Sequence, residues 1–578
     1  MKASSEAPWK FLDDYRGAAF GGEWPTLPEL FVLTARRYPD RACFTVFEPD
    51  RRSLTYAEAL GKIEAAARRL RSLGIGRGDK VAVSGKNSPE WAVAYFAVLF
   101  AGAVVVPLDY QLSIPELTNL IRAGDVGLLL VDEEKEAELA AACPSLKAVF
   151  SLAAGRKGNV LDMDAEVPLP RDGTLPADAP AEGDLAAILF TSGTMGSPKG
   201  VMLSHANFVS DCFLAQANLN IYCTDVFYAL LPIHHAYTML AVFIESVSVG
   251  AELVFGKRLV VKQVLKDFRE ARVTMFLGVP LLFNKILAGI LKGVKEKGPV
   301  ANAAVHLLMG VSFAIKRLTG RNLGKTLLRS VLDAASFSSI RICISGGGPL
   351  SPKVFRRYNE LGIDFVQGYG LTETSPILTL NPTYAFIVTS VGKLIPSVDM
   401  KILEPNAEGV GEIAVRGPMV MSGYYKLPEE TAEVLSPDGW LRTGDLGRLD
   451  DSGYVYLEGR VKNLIVTEGG KNVYPEEIEN RFQLFDEVEQ ILVCGYLEDA
   501  ESRSEGIEAM LYPNAEHFRK AEGSDLDWAA AEARLRAIVD EVNQRLLPYQ
   551  KITKVTVLRE RLAETTKKTV KRFAVVRG

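Results

Sequence analysis

The chain has 578 residues, 48% hydrophobic and 24% charged, a balance that belongs to a globular protein of more than one domain and excludes a disordered chain. Its 49 Gly and 29 Pro show no short period, which excludes collagen-like and low-complexity classes. Acidic residues number 71 against 66 basic, a formal charge of −5, so the chain as a whole is not a nucleic-acid binder.

The N-terminal stretch MKASSEAPWKFLDDYRG has no apolar signal core. The longest uncharged apolar run, Trp91 to Val106, falls short of the roughly 20 residues a membrane span needs. A cytoplasmic protein that at most touches a membrane reversibly is expected. Six scattered cysteines, Cys43, Cys143, Cys212, Cys223, Cys343 and Cys494, form no CxxC pair or zinc spacing and are expected to be buried thiols in a reducing compartment.

Apolar residues at helical spacing predict a helix over Ala57–Leu73, ended by Gly74. Next come a strand (Lys80–Ser84), a buried helix (Pro89–Phe100), a strand (Ala103–Pro107), a helix (Glu116–Ala123) and a strand (Gly127–Val131). This rhythm predicts a mostly parallel sheet covered on both faces, with ligands at the loops beyond the strand C-termini. Pro, Gly and Asp crowd residues 154–184, which read as a loop or seam. Between Lys285 and Arg329 nine Lys/Arg face a single acid, Glu296, around the apolar stretch Val305–Ile315. Such a segment suits either an anionic membrane surface or a solvated helical face. After Gly392 short strands (Asp399–Leu403, Glu412–Val415, Tyr454–Leu457) predict a small β-rich subdomain. Beyond Arg460 the helical segments Pro475–Gln483 and Trp528–Leu546 and the strand Ile491–Tyr496 predict a separate α+β domain.

One loop carries the clearest chemistry. Thr191-Ser192-Gly193-Thr194-Met195-Gly196-Ser197-Pro198-Lys199-Gly200 follows a strand predicted at Ala186–Phe190. Glycines let backbone N–H groups approach an anion, hydroxyls add neutral donors and lysine adds charge, which together suit a polyphosphate. It is not the GxxxxGK[ST] loop: Pro198 precedes the lysine and Gly200 follows it.

With this loop, the chain resembles the adenylate-forming superfamily, which includes acyl-CoA synthetases, luciferases and peptide-synthetase adenylation domains. The likeness runs from about Leu27 to Arg572 through several motifs in order. The basic insertion and Gly368-Tyr369-Gly370-Leu371-Thr372-Glu373-Thr374 are most similar to long-chain fatty acid–CoA ligases. The resemblance implies that Thr191, Ser192, Gly193, Thr194 and Lys199 hold phosphates. It implies that Tyr369 stacks near adenine, Thr372 contacts the α-phosphate and Glu373 binds Mg²⁺, an ion that prefers few carboxylates plus phosphate oxygens. Gly346 and Gly347, in the Ser345–Pro349 turn, would border adenine and the acyl group. Asp445 would accept from both ribose hydroxyls, and Arg460 would also touch the nucleotide. His235, in Leu231–Tyr237, takes the place of a histidine beside the acyl pocket; read from its aliphatic neighbours alone it fits a core histidine equally well. Gly469 and Gly470 would face the site during thioester formation, with Lys462 at the hinge between domains.

The family's C-terminal lysine is where the pattern departs. The tail reads Leu562-Ala563-Glu564-Thr565-Thr566-Lys567-Lys568-Thr569-Val570-Lys571-Arg572, and the lysine slot falls on Thr569. Lys568, one residue earlier, is the candidate for stabilising charge during adenylate formation.

The expected fold is α/β: a large N-terminal region of parallel subdomains plus a β-rich one (residues 1–460), then a smaller mobile α+β domain (461–578). The expected function is ligation of a medium- or long-chain fatty acid to coenzyme A, with ATP and Mg²⁺, releasing AMP and pyrophosphate. Loading of an acyl carrier protein and a catalytically impaired nucleotide-binding homologue are the alternatives. Membrane contact through 285–329 is expected as a peripheral feature.

Overall fold

The computed structural model describes the chain apart from residues 1–6, 154–159, 163–174, 176–177, 192–197, 258–259, 467–471, 484, 500–503, 520–525, 564–569, 571 and 573–578. Hydroxyl caps set where several helices begin. Thr26, Thr55, Ser113 and Ser204 each accept a hydrogen bond from the backbone three residues on, and each closes a capping box.

The strand–helix alternation in the first part of the chain builds a seven-stranded sheet. Its order is Gly423–Tyr424, Lys199–Ser204, Leu185–Thr191, Val104–Leu108, Lys80–Ser84, Leu128–Val131 and Ala148–Ser151. From Leu185–Thr191 onward the pairing is parallel. The helix Pro89–Phe100 is buried along its whole length. Its Trp91, Tyr95 and Phe96 rings lie 5.3–5.9 Å from Phe243, so the long apolar run is a core helix.

A thirteen-stranded sheet forms the second layer. Its parallel centre runs through Asp364–Tyr369, Ile342–Ser345, Met275–Gly278, Val226–Ala229, Glu252–Phe255 and Ala42–Val46. The β-rich part expected after Gly392 is not a detached sheet. Thr379–Leu380 and Gly392–Leu394 pair antiparallel and carry the ladder on to Tyr454–Arg460, Leu441–Leu449, Gly411–Arg416 and Asp399–Leu403.

The smaller C-terminal domain has its own core. Val488–Asp499 and Ser504–Pro513 pair antiparallel, and Lys554–Val557 joins parallel. Val493, Ile507 and Leu511 pack against Leu535, Ile538 and Val539 of the helix Trp528–Asn543.

The basic insertion folds as helices Pro280–Lys295 and Pro299–Thr319. The second helix has inverted polarity. Lys316 points inward, donating to Asp364 Oδ1 and Asn359 Oδ1 at 2.7 Å each. Val300, Ala303, Leu307, Val311, Ala314 and Leu318 are exposed, with Val300 and Leu318 more than 80% so.

Of the six thiols, Cys43, Cys143, Cys212 and Cys343 are buried as expected, whereas Cys223 and Cys494 are half-buried and all six are free.

Candidate active site

The phosphate-type loop joins two antiparallel strands. Thr191 and Lys199 pair across it, and Thr191 Oγ1 donates to the Lys199 carbonyl at 3.4 Å. Ser192, Gly193 and Thr194 lie outside the described residues. The short strand Gly423–Tyr424 pairs with Lys199–Ser204, Tyr424 opposite Val201. This places the Tyr424 ring 4.6 Å from Lys199 Nζ, a cation–π contact. The Tyr424 hydroxyl donates to Glu373 Oε1 at 3.0 Å, and burial together with that carboxylate raises its pKa. A tyrosine thus spaces the loop's lysine from the candidate Mg²⁺ carboxylate, which follows the strand Asp364–Tyr369 on the turn Thr372–Thr374.

A second chain of contacts starts from the same strand. Tyr369 donates through its hydroxyl to Asp445 Oδ2 at 2.8 Å. Arg460, opposite Asp445 in the ladder, meets Asp445 Oδ1 at 2.9 Å. Asp445 is buried, and burial pushes its pKa up while Arg460 and the Tyr369 hydroxyl pull it back. Two oxygens of a buried carboxylate, one on a cation and one on a phenol, give a rigid acceptor of the kind a diol requires.

Tyr369 also lines a cavity, together with Gly346, Gly347, Thr372, Leu219, Phe227 and Ala241. A Cβ on Gly346 would sit 3.0 Å from the Tyr237 ring, and one on Gly370 would sit 1.6 Å from the Pro376 carbonyl oxygen. Both positions therefore need glycine for close approach rather than for torsional freedom.

His235 immediately precedes the turn Ala236–Thr238, and Ala236 and Tyr237 line the cavity. Its ring lies 4.2 Å from that of His234, whose Nε2 is 3.7 Å from Asp109 Oδ2. The ligand-type atoms of Asp109, His234 and His235 lie within 4.8 Å of one another. Asp109 follows the strand Val104–Leu108, far away in sequence, so no motif announced this grouping.

The C-terminal domain docks beside the glycine turn. Gln483 Nε2 donates to the Pro349 carbonyl at 2.9 Å, and Gln483 Oε1 accepts from Ser351 N at 3.1 Å. Asn463 Nδ2 donates to Glu476 Oε1 at 2.6 Å, next to Lys462 in the turn Val461–Asn463. Gly469, Gly470 and Lys568 lie outside the described residues.

This geometry has a match among known proteins. Residues 31–425 match the family described as AMP-binding enzyme. The chain belongs to this family. A feruloyl-CoA synthase of Amycolatopsis sp is 31% identical over 485 residues, which is 82% of this chain and 85% of that protein. The long-chain-fatty-acid–CoA ligase heimdall of Drosophila melanogaster is 31% identical over 496 residues, 78% of this chain and 72% of that protein. The crystal structure of ATP-bound MatB from Rhodopseudomonas palustris superimposes with a TM-score of 0.73 at 26% identity, covering 95% of this chain and 98% of that one. The adenylate-forming superfamily inferred from the motifs is thereby established, as is the α/β fold with its smaller C-terminal domain. AMP-binding enzymes of this superfamily work with ATP and Mg²⁺, and its acyl-CoA ligases use coenzyme A as cosubstrate.

The sequence did not reveal Tyr424, which reaches the site only through pairing with a strand more than 200 residues earlier. Nor did it reveal Glu245, hidden in the apolar run Met239–Val249. Glu245 is buried in the cavity wall, with Cys212 Sγ donating to its Oε2 at 2.8 Å. Burial raises its pKa to about 8, with Cys212 and Gln216 tempering the rise, and neighbouring Asp211 is raised as well.

The folded state therefore keeps a proton on Glu245 that the unfolded chain has released, so this group's contribution to stability falls as pH rises from about 4.5 to about 8. Glutamine does not titrate. Glu245→Gln is expected to gain stability relative to the parent steadily across that window, read as a difference in Tm that grows with pH.

Proposed function

We propose that this AMP-binding enzyme joins a carboxylic acid, of medium- or long-chain fatty type, to coenzyme A in two steps. In the first, a carboxylate oxygen attacks the α-phosphorus of ATP, pyrophosphate leaves and an acyl-adenylate forms. In the second, the coenzyme A sulfur attacks the acyl carbonyl carbon, AMP leaves and the thiol proton passes to solvent. The observation that carries the reading is a cavity lined by apolar side chains together with the glycine turn, Thr372 and Tyr369, the last bonded to the buried Asp445–Arg460 pair.

In this proposal Thr191, Ser192, Gly193, Thr194 and Lys199 hold the phosphates. Asp445 accepts the ribose hydroxyls, and Arg460 pulls back the rise in its pKa that burial causes. Tyr369, Gly346 and Gly347 border adenine, and Thr372 donates to the α-phosphate. His235 positions the carboxylate of the acid. Glu373 would hold Mg²⁺, which neutralises phosphate charge. The Tyr424 hydroxyl fixes that carboxylate, and the lysine on the same ring supplies a second positive charge. The residues present suit the ion: one carboxylate beside a phosphate loop is the donor set Mg²⁺ takes when phosphate oxygens complete its shell.

We assign the boundary between the two catalytic units to Arg460 and Val461, with rotation about Lys462. That rotation brings Lys568 to the cavity for adenylation and the Gly469–Gly470 loop for thioester formation. Loading of an acyl carrier protein instead of coenzyme A is distinguished by offering each thiol to the adenylate.

Pyrophosphate release with ATP, Mg²⁺ and acids of graded length tests the reading. Activity that vanishes for every acid overturns it. Glu373→Gln is expected to cost about 10²- to 10³-fold in kcat, the scale of losing one preorganised electrostatic group. Lys568→Ala is expected to abolish the first step while Lys567→Ala and Lys571→Ala retain it; near-full activity in Lys568→Ala refutes that role.

The same reading places the enzyme in the cytoplasm with part of its surface on an anionic bilayer, through the helix Pro299–Thr319. It is long and apolar enough to cross a membrane by length and composition, with 17% of its apolar window buried. Both neighbouring segments return to the body, however, and Lys316 faces Asp364, so it lies flat. The exposed cations Lys292, Lys295, Lys297, Arg317 and Arg321 flank its apolar stripe and suit anionic headgroups. The protein is expected to co-sediment with vesicles rich in phosphatidylglycerol and to remain soluble with phosphatidylcholine alone. A Leu307→Glu/Val311→Glu variant is expected to lose the binding. Failure of the parent protein to co-sediment with the anionic vesicles overturns the assignment.

A further inference from the structure

The cavity wall holds one carboxyl group among its described residues, and the two-step reaction leaves it without a role. Glu245 is fully enclosed, and its Oε1 has no hydrogen-bond partner, whereas Oε2 accepts from Cys212. The Gln216 amide lies close enough to temper the carboxyl's pKa, but its bond within reach goes to Ser248 Oγ at 3.0 Å. An orphaned buried polar atom of this kind is destabilising, and it sits here among side chains such as Ala215, Leu219, Ile221 and Phe227.

Local backbone structure aims the group. Tyr237, Ala241 and Glu245 are spaced four residues apart and all three line the cavity. The intervening segment Met239–Ile244 is a π-helix, a wide turn often found at functional sites. The glycine turn, Thr372 and Glu245 all line this one cavity, with Glu245 beside apolar residues such as Ala241 and Phe227. An acid whose carboxylate lies by His235, next to the lining residues Ala236 and Tyr237, therefore shares the cavity with Glu245.

We infer that Glu245 forms a subsite for a hydroxyl group carried on the tail of the substrate acid, so that the preferred substrates are hydroxy acids, aliphatic or phenolic, rather than plain hydrocarbon acids. The inference rests on the acyl–coenzyme A ligase reading above and deepens it. At neutral pH the buried carboxyl retains its proton and can donate through Oε1 to the tail oxygen. A hydroxyl also brings its own proton, which the ionised carboxyl would accept. A methyl-ended tail leaves Oε1 orphaned as it is now, and a site built to pair a hydroxyl discriminates against the analogue lacking one.

The test measures adenylate formation, as pyrophosphate release, for matched pairs of acids across several lengths. Each pair differs only by a terminal hydroxyl, with cinnamic and 4-hydroxycinnamic acids as the aromatic pair. The parent enzyme is expected to favour the hydroxylated member by at least about tenfold in kcat/KM at the length that reaches Glu245. Glu245→Leu is expected to bring that ratio close to one, and Glu245→Gln, which keeps hydrogen-bonding capacity, to retain most of it. Equal use of both members at every length by the parent enzyme overturns the subsite while leaving the ligase reading intact. An unchanged ratio in Glu245→Leu also overturns it. Consumption of no acid of either kind overturns the ligase reading and the subsite with it.

Discussion

A carboxylate removed from water must be paired, and Asp445 shows how much structure that requirement organises. Its two oxygens are shared between Arg460 and Tyr369. One partner ends the last strand of the large sheet, and the other ends the parallel strand that carries Glu373. The pairing therefore joins the antiparallel extension of the sheet to its parallel centre at the point where the cavity opens. Neither partner can shift far without leaving a buried charge unmet, a penalty of several kcal/mol. The adjoining glycine turn and the Thr372–Thr374 turn take their positions from this fixed corner.

Segments whose burial is set by local pattern were legible in the sequence. Lys80–Ser84 and Pro89–Phe100 are found over the bounds read from the sequence, because a short β-branched strand and a helix capped by Ser88 and apolar from Trp91 onward admit few alternatives. Among the motif residues, Tyr369, Asp445 and Arg460 meet directly, and Tyr369 and Thr372 line one cavity. Long-range pairing was not legible. Tyr424 enters through a two-residue strand, and Asp109 approaches His234 from another sheet. The β-rich segment joins the main sheet because Thr379–Leu380 and Gly392–Leu394 find each other in space, which alternation along the chain does not encode. Glu245 escaped notice because a single acid in an apolar helix reads as an outward-facing residue until the neighbouring helices enclose it.

The basic insertion illustrates how one element serves two environments. Ordinary surface helices turn their charges outward. Here Lys316 faces Asp364, while Val300, Leu307, Val311 and Leu318 face away. The ion pair fixes the rotation of the helix about its axis, so the apolar stripe is displayed by design of the inner face.

Among the described residues, the C-terminal domain is bonded beside the glycine turn through the amide of Gln483, once to a carbonyl and once to an N–H. Neutral bonds of this sort are worth about 1 kcal/mol each, close to the thermal energy. Being uncharged, this latch ignores ionic strength and proton concentration.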